Sequence, residues 1–261
     1  MKALAARRHD RRAPVVLLLL ALLLTGGLYA VLAPSSADAA PKTASTDDIA
    51  TGEKLFQANC ATCHGPSAAG TESGPSLIGV GAAAVDFQVG TGRMPAQMSG
   101  PQIEAKPVQF DDEQISQLAA YVASLGVGPA IPTDEQVDPA LGDPANGMAL
   151  FRTNCAMCHN AVGAGGALSQ GKFAPKLWET SPRHLYEAML TGPQSMPVFN
   201  DANITPEGKR DIIAFIDQQG DTAPGGITLG ALGPVSEGLW AWVVGIGLLI
   251  GAAVWIGAKS S

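Results

Sequence analysis

Cysteine is scarce: four residues in 261. That excludes a small scaffold stapled by many disulfides. Histidine is as sparse, also four. Aromatic residues make up 5% of the chain, so two cores built wholly from rings are excluded. Charged residues make up 15%, against about 25% in an ordinary soluble domain. Glycine (31) and proline (19) are plentiful but follow no Gly-X-Y period, which excludes collagen. The formal net charge of −7 disfavours nucleic acid as a partner. A chain of this length accommodates one or two domains of about 150 residues.

Long uncharged runs are present, and there are two. A basic tail over 1–13 holds Lys2, Arg7, Arg8, Arg11 and Arg12 against Asp10. The uncharged run 14–33 follows, and a second occupies 238–258, just before Lys259. About 20 apolar residues suffice to cross a bilayer as a helix. The excess of basic residues before the first run puts the N-terminus in the cytoplasm, and Lys259 fits a cytoplasmic C-terminus. The intervening segment is then extracytoplasmic, with 10 Lys/Arg against 22 Asp/Glu. Ala37-Asp38-Ala39 has the small-x-small pattern of a signal-peptidase site, so the first run is either an anchor or a removed leader. Its length favours an anchor.

The outer segment repeats itself. Gly52, Phe56, Asn59, Cys60, Ala61, Cys63 and His64 recur 95 residues on as Gly147, Phe151, Asn154, Cys155, Ala156, Cys158 and His159. Pro75-Ser76-Leu77 is answered by Pro175-Lys176-Leu177, and Met94-Pro95 by Met196-Pro197. This order predicts a duplicated domain, one copy over 46–127 and the other over 142–222. The stretch 128–141 is rich in proline and acid, shows no apolar stripe, and reads as a linker. Each copy reads as mainly α. Short helices over 47–59 and 142–154 lead into the cysteines. Ile115, Leu118, Val122 and Leu125 share one face of a helix that Asp111 caps and Gly126 ends. In the second copy, Thr205 and Pro206 open a helix that Gly220 ends. Each Gly/Phe pair supplies a small and a large residue for a helix crossing.

The chemistry sits on Cys-x-x-Cys-His, which consumes all four cysteines. This spacing reads as covalent haem attachment: two thiols add to the haem vinyl groups and the adjacent histidine ligates iron. A redox dithiol needs no following histidine at matched positions. Zinc needs four ligands, and each copy offers three. His64 and His159 are the proximal ligands. His184 is the remaining histidine of the outer segment and reads as a partly solvated residue at a helix start beside Arg183. Met94 and Met196 lie 30 and 37 residues beyond the proximal histidines, each followed by proline. A thioether opposite histidine gives low-spin iron of raised potential, suited to electron transfer. Met98 competes with Met94, and Met189, at the gapless offset from Met94, lacks the proline. Pro75 and Pro175 are placed to offer a carbonyl to the proximal imidazole. Arg93 and Lys172 are candidates for pairing with haem propionates.

These motifs carry a resemblance. Each copy is similar to a class I cytochrome c domain, through Gly-x-x-x-Phe, CxxCH, Pro-x-Leu and Met-Pro. The whole chain resembles the dihaem cytochrome c (cytochrome cc) subunit of the actinobacterial cytochrome bcc menaquinol–cytochrome c reductase complex. The likeness runs from the basic tail to Trp255-Ile256-Gly257-Ala258-Lys259. It includes the runs 89–95, 165–169, 190–197 and 211–215. It implies a mainly α fold of two tandem class I cytochrome c domains, flanked by an N-terminal and a C-terminal transmembrane helix in the plasma membrane. It implies two covalently bound haems c, attached at Cys60, Cys63, Cys155 and Cys158, with iron held by His64, Met94, His159 and Met196. The implied partners are a cytochrome b subunit, a Rieske iron–sulfur subunit and a haem-copper cytochrome c oxidase. The chain would carry electrons between the last two, and quinol chemistry would fall to partner subunits. The alternatives are the haem c acceptor subunit of a periplasmic dehydrogenase and a dihaem peroxidase. Two Met-Pro elements argue against the peroxidase, which needs an exchangeable iron site.

Overall fold

Ser45 opens the first helix of the outer segment with a reciprocal cap. Its hydroxyl accepts from the Asp48 N–H, and the Asp48 carboxylate accepts from the Ser45 N–H. Such a box satisfies two N-terminal donors that the helix itself leaves free. The computed structural model describes residues 13–32, 44–98, 100–221 and 234–259. The chain divides into two units, Met1–Lys42 and Thr43–Ser261. Within the first, α1 spans Ala13–Leu32 and contains no charged residue. The basic tail over 1–12 and the small-x-small pattern at 37–39 lie outside the described residues.

The second unit is mainly helical: α2 Thr46–Asn59, α3 Ala61–His64, α4 Ala82–Gly90, α5 Asp112–Ser124, α6 Asp134–Val137, α7 Pro144–Asn154, α8 Ala156–His159, α9 Pro182–Thr191, α10 Pro206–Asp221 and α11 Pro234–Lys259. A two-residue strand pair, β1 Gly166–Ala167 and β2 Phe173–Ala174, runs antiparallel. Among the described residues, 238–259 is the one helical stretch long and apolar enough to cross a membrane.

Two apolar cores form. The first gathers Phe56, Ile115, Leu118, Tyr121 and Val122, where α2 crosses α5. The second gathers Phe151, Ile212, Ile213, Phe215 and Ile216, where α7 crosses α10. The crossings match. Phe56 and Tyr121 stand with ring centroids 5.3 Å apart, and so do Phe151 and Phe215. A Cβ on Gly52 would meet the Gln117 carbonyl oxygen at 2.0 Å, and one on Gly147 the Asp211 oxygen at 1.8 Å. Both glycines are therefore set by a backbone-to-backbone approach.

Some expectations shift. The Asp111 cap stands, with Gln114 completing the box, and α5 closes at Leu125, one residue before Gly126. Helix α10 begins at Pro206 but continues through Gly220, which passes beside Trp178. The stretch read as a linker contains α6 and a 3-10 turn at Pro139–Leu141. A Thr133–Gln136 box opens α6, and Val137 buries in the second core. A proline-rich, acidic segment whose apolar anchors, Ile131 and Val137, form no periodic stripe leaves only the Thr133–Gln136 spacing as a signal of this order. Helix α4 was also unanticipated. Its Ala83, Val85, Asp86, Phe87 and Val89 are all buried, so it has no alternating polar face to reveal it.

Candidate functional site

Each Cys-x-x-Cys-His segment closes one helical turn. The Cys63 and His64 amides both donate to the Cys60 carbonyl, and those of Cys158 and His159 donate to Cys155. The turn ends at once, because Gly65 and Asn160 adopt φ of 77° and 65°. Positive φ is natural for glycine and accessible to asparagine. Cα–Cβ vectors separated by three and four residues share a face of such a turn. Both sulfurs and the imidazole are thereby gathered on one side.

A second strand of chain orients each imidazole. His64 Nδ1 lies 2.8 Å from the Pro75 carbonyl oxygen, and His159 Nδ1 lies 3.0 Å from that of Pro175. A carbonyl only accepts, so each Nδ1 carries the proton and donates. Nε2 keeps its lone pair for a metal. Gly74 permits this approach: a Cβ there would come within 2.8 Å of the Cys63 oxygen and 3.1 Å of His64 Nδ1. Burial holds His159 below the ordinary histidine pKa, an effect partly countered by its bond to Pro175.

Two cavities complete the geometry. The first, about 720 Å³, is lined by Cys60, Cys63, His64, Pro75 and Met94. The second, about 520 Å³, is lined by Cys155, Cys158, His159, Pro175 and Met196. Both volumes fall within the range of roughly 300–1,000 Å³ typical of ligand sites. The sequence-predicted residues of each copy are therefore brought together around one space. Two thiols, an imidazole and a thioether facing an apolar cavity fit a haem c. Met98 also lines the first cavity but is 78% exposed, whereas Met94 packs on the first core. Met189 is buried in the second core and does not line the cavity.

The thiols argue against a redox dithiol. Burial, reinforced by the neighbouring cysteine, pushes Cys60 and Cys155 up to about 11. A catalytic Cys-x-x-Cys needs a lowered thiol pKa.

The two sites touch, which the sequence did not reveal. Phe87, Gly90, Thr91, Arg93, Gln102 and Ala105 of the first copy line the second cavity. Gln194 of the second copy lines the first. Helix α4 packs on α9. Phe87 meets His184 edge-on at 6.1 Å, and Arg93 stacks over Phe87 at 5.0 Å. His184 stands in the first turn of α9 and is partly exposed, as expected, and it is also a residue of this contact. The Gln102 amide pairs with the Phe173 backbone through bonds of 2.8 and 2.9 Å. Lone glutamines and one histidine carry no periodic signal from which this could have been read.

Comparisons with known proteins agree with the site. The cytochrome c family model matches residues 49–126. The model for subunit III of cbb3-type cytochrome c oxidase matches residues 142–216. The chain is 46% identical to the cytochrome bc1 complex cytochrome c subunit of Mycobacterium tuberculosis, over 97% of this chain and 93% of that one. It is 43% identical to the subunit of the same name in Corynebacterium diphtheriae, over 99% of each chain. For Corynebacterium efficiens the identity is 47%, over 85% and 82%. The chain therefore belongs to the family of cytochrome bc1 complex cytochrome c subunits, and it is an electron carrier whose two cytochrome c domains hold two haem c groups.

Proposed function

We propose that this chain relays electrons within a respiratory assembly, from a Rieske iron–sulfur subunit into its first domain and from its second domain to a haem-copper oxidase. A cytochrome b subunit would oxidise menaquinol, and this chain would transfer electrons only. The observation that carries the reading is the shared wall of the two cavities, because Phe87, Gly90, Thr91, Arg93, Gln102 and Ala105 of the first copy line the second site. Cofactors held that way need no diffusing intermediate, and tethering keeps the effective concentration in the millimolar range or above.

Each residue then has a task. Cys60 and Cys63, and Cys155 and Cys158, hold the porphyrins by thioether bonds. His64 with Met94, and His159 with Met196, hold the irons, and the Pro75 and Pro175 carbonyls fix the rings. The bound haem supplies a one-electron couple, whose potential a Met/His ligand pair raises. In this reading the domains occupy 46–127 and 142–222, α1 and α11 both cross the plasma membrane, and the haem domains face its outer side. Retention of α1 as an anchor is part of the proposal.

The test is a pull-down of the tagged chain in mild detergent, read by reduced-minus-oxidised spectra. Bands of b- and a-type haem beside the c band, with quinol-driven oxygen uptake, support the reading. Haem c alone, across several mild detergents and without quinol activity, refutes the assembly and favours a dehydrogenase acceptor.

A further inference from the structure

At the contact between the two domains, three metal-competent side chains converge. Asp86 projects from α4, and His184 and Glu187 project from α9, one helical turn apart on the same face. One ligand atom from each lies within 4.8 Å of the others. His184 Nε2 stands 3.8 Å from Asp86 Oδ2, beyond hydrogen-bond range. Ligands held about 2.0–2.2 Å from a tetrahedral zinc are about 3.3–3.6 Å apart, so the spacing suits a shared ion better than a direct bond.

Glu187 gives the second, independent observation. It is fully buried, and neither carboxylate oxygen has a hydrogen-bond partner. What faces it is the Asp86 carboxylate, another acceptor. No Lys or Arg nitrogen among the described residues comes within 4.0 Å of either carboxylate, and Arg183 pairs instead with Asp134. Two buried carboxylates without a cation are expensive, so something positive must lie between them. Gly90 keeps the space open, since a Cβ there would stand 2.9 Å from His184 Nε2.

We propose that Asp86, His184 and Glu187 form a divalent-cation site of the zinc type, which clamps the two haem domains together. A dication balances both carboxylates and uses the imidazole lone pair. Three protein ligands and a water complete four-coordination. The mixed nitrogen and oxygen set suits zinc better than calcium, which takes 6–8 oxygens, or magnesium, which demands an octahedral oxygen shell. Burial holds His184 below its ordinary pKa, with Asp86 opposing and Arg183 and Arg93 assisting, so the lone pair is free. Without a cation, burial first, then the Asp86 charge and a hydrogen bond shared with Asp86, push Glu187 up to about 10 against the opposing charge of Arg183, and the carboxyl would hold a proton instead. A shared proton is the competing occupant. It would serve one Glu187 oxygen and leave His184 with only its edge contact to Phe87 and its place in the wall of the second cavity. The site is separate from the haem ligands and does not depend on the assembly proposed above.

The experiment uses the haem-loaded full chain without a histidine tag, dialysed against a strong chelator until only two irons per chain remain. Zinc is then titrated against a chromophoric competitor. The expected result is one tight equivalent that magnesium and calcium do not displace. Asp86→Asn, His184→Gln and Glu187→Gln should each weaken it more than about 100-fold, beyond the roughly 10–100-fold typical of outer-shell changes. The haem spectrum reports folding, and Asp86→Asn, at the less buried carboxylate, serves if Glu187→Gln fails to fold. No tight equivalent, or one that survives all three substitutions, overturns the proposal. An absent equivalent together with a more stable Glu187→Gln chain assigns the cluster to a shared proton.

Discussion

Substituting Gly147 by alanine sets two known effects against each other, and the structure says which wins. Alanine is favoured over glycine in a helix interior by about 1 kcal/mol. Against that, the new Cβ would sit 1.8 Å from the Asp211 oxygen, 2.4 Å from its carbonyl carbon and 2.9 Å from the Ile212 nitrogen. All three are backbone atoms of α10, so no rotamer change relieves the clash. Ordinary contact requires α7 and α10 to part by about 1.5 Å. That separation loosens the packing of Phe151 on Phe215 and Ile212, which are almost fully buried. Overpacking of this kind costs about 3 kcal/mol or slightly more. The net loss is then about 2 kcal/mol, or a Tm lower by roughly 8–16 °C for a domain of this size. Gly208, on α10, is the control. A Cβ there meets Leu150 Cδ1, the far end of a flexible side chain, at 3.1 Å and the Ile204 Cγ2 methyl at 3.2 Å, with no backbone atom among its nearest neighbours. Gly208→Ala should leave the melt within about 0.5 kcal/mol of the parent. Thermal melts of the full chain, followed by far-UV circular dichroism, compare the two. A Gly147→Ala chain that melts at or above the parent would mean that the crossing is not closest at Gly147, and the packing argument would fail.

Further outcomes follow from the same geometry. Met196→Ala should lower the potential of one haem on the order of 100 mV, within the roughly 0.8 V that axial ligands span, and leave the other unmoved in a spectroelectrochemical titration. Unchanged potentials would remove Met196 from the iron. Lys209 is fully buried, with Nζ 2.6 Å from Asp201 and 2.8 Å from the Ile204 oxygen, while Asp201 is largely exposed. Asp201→Ala strands a buried ammonium and should cost about 3 kcal/mol by denaturant titration, whereas Lys209→Met should cost about half that; equal losses would contradict this asymmetry. The Tyr121 hydroxyl is held above its ordinary pKa by burial and then by Glu53. The unfolded chain ionises first, so stability is intact below about pH 10 and falls above it, and Tyr121→Phe should flatten that alkaline limb of the melt.

The sequence made the chemistry legible and left the assembly of the domains hidden. The haem motifs are strong because covalent attachment demands two thiols and a histidine at fixed spacing, and duplication states the demand twice. Gly52 and Gly147 were readable as crossing points because a small residue four before a large one has a packing meaning. Helix α4 was not readable, because burial on all sides erases the amphipathic signal. Asp86, His184 and Glu187 were equally silent, since they come together only when α4 meets α9. Short helix α6 escaped for a different reason: its order comes from a capping box and the single anchor Val137, not from a stripe.

The two copies also differ, and the difference falls where they touch. Pro75 lies 11 residues after His64, but Pro175 lies 16 after His159. The longer loop of the second copy carries the β1–β2 pair. Its Phe173 amide and carbonyl both bond to the Gln102 side chain of the first copy. The insertion therefore builds a contact between domains rather than another feature of the haem cavity alone. Gln102→Ala removes both bonds at once. Each is worth about 0.5–1.5 kcal/mol, and exposure places them at the lower end, so the loop should loosen by about 1 kcal/mol without unfolding either core. Hydrogen exchange should then quicken several-fold at the Phe173 amide and stay unchanged at Ile115 and Ile212 in the cores. Equal exchange at Phe173 in both chains would show that the inserted loop holds itself, and that the contact between the domains rests on α4 with α9 and on the Ile103–Gln194 bond instead.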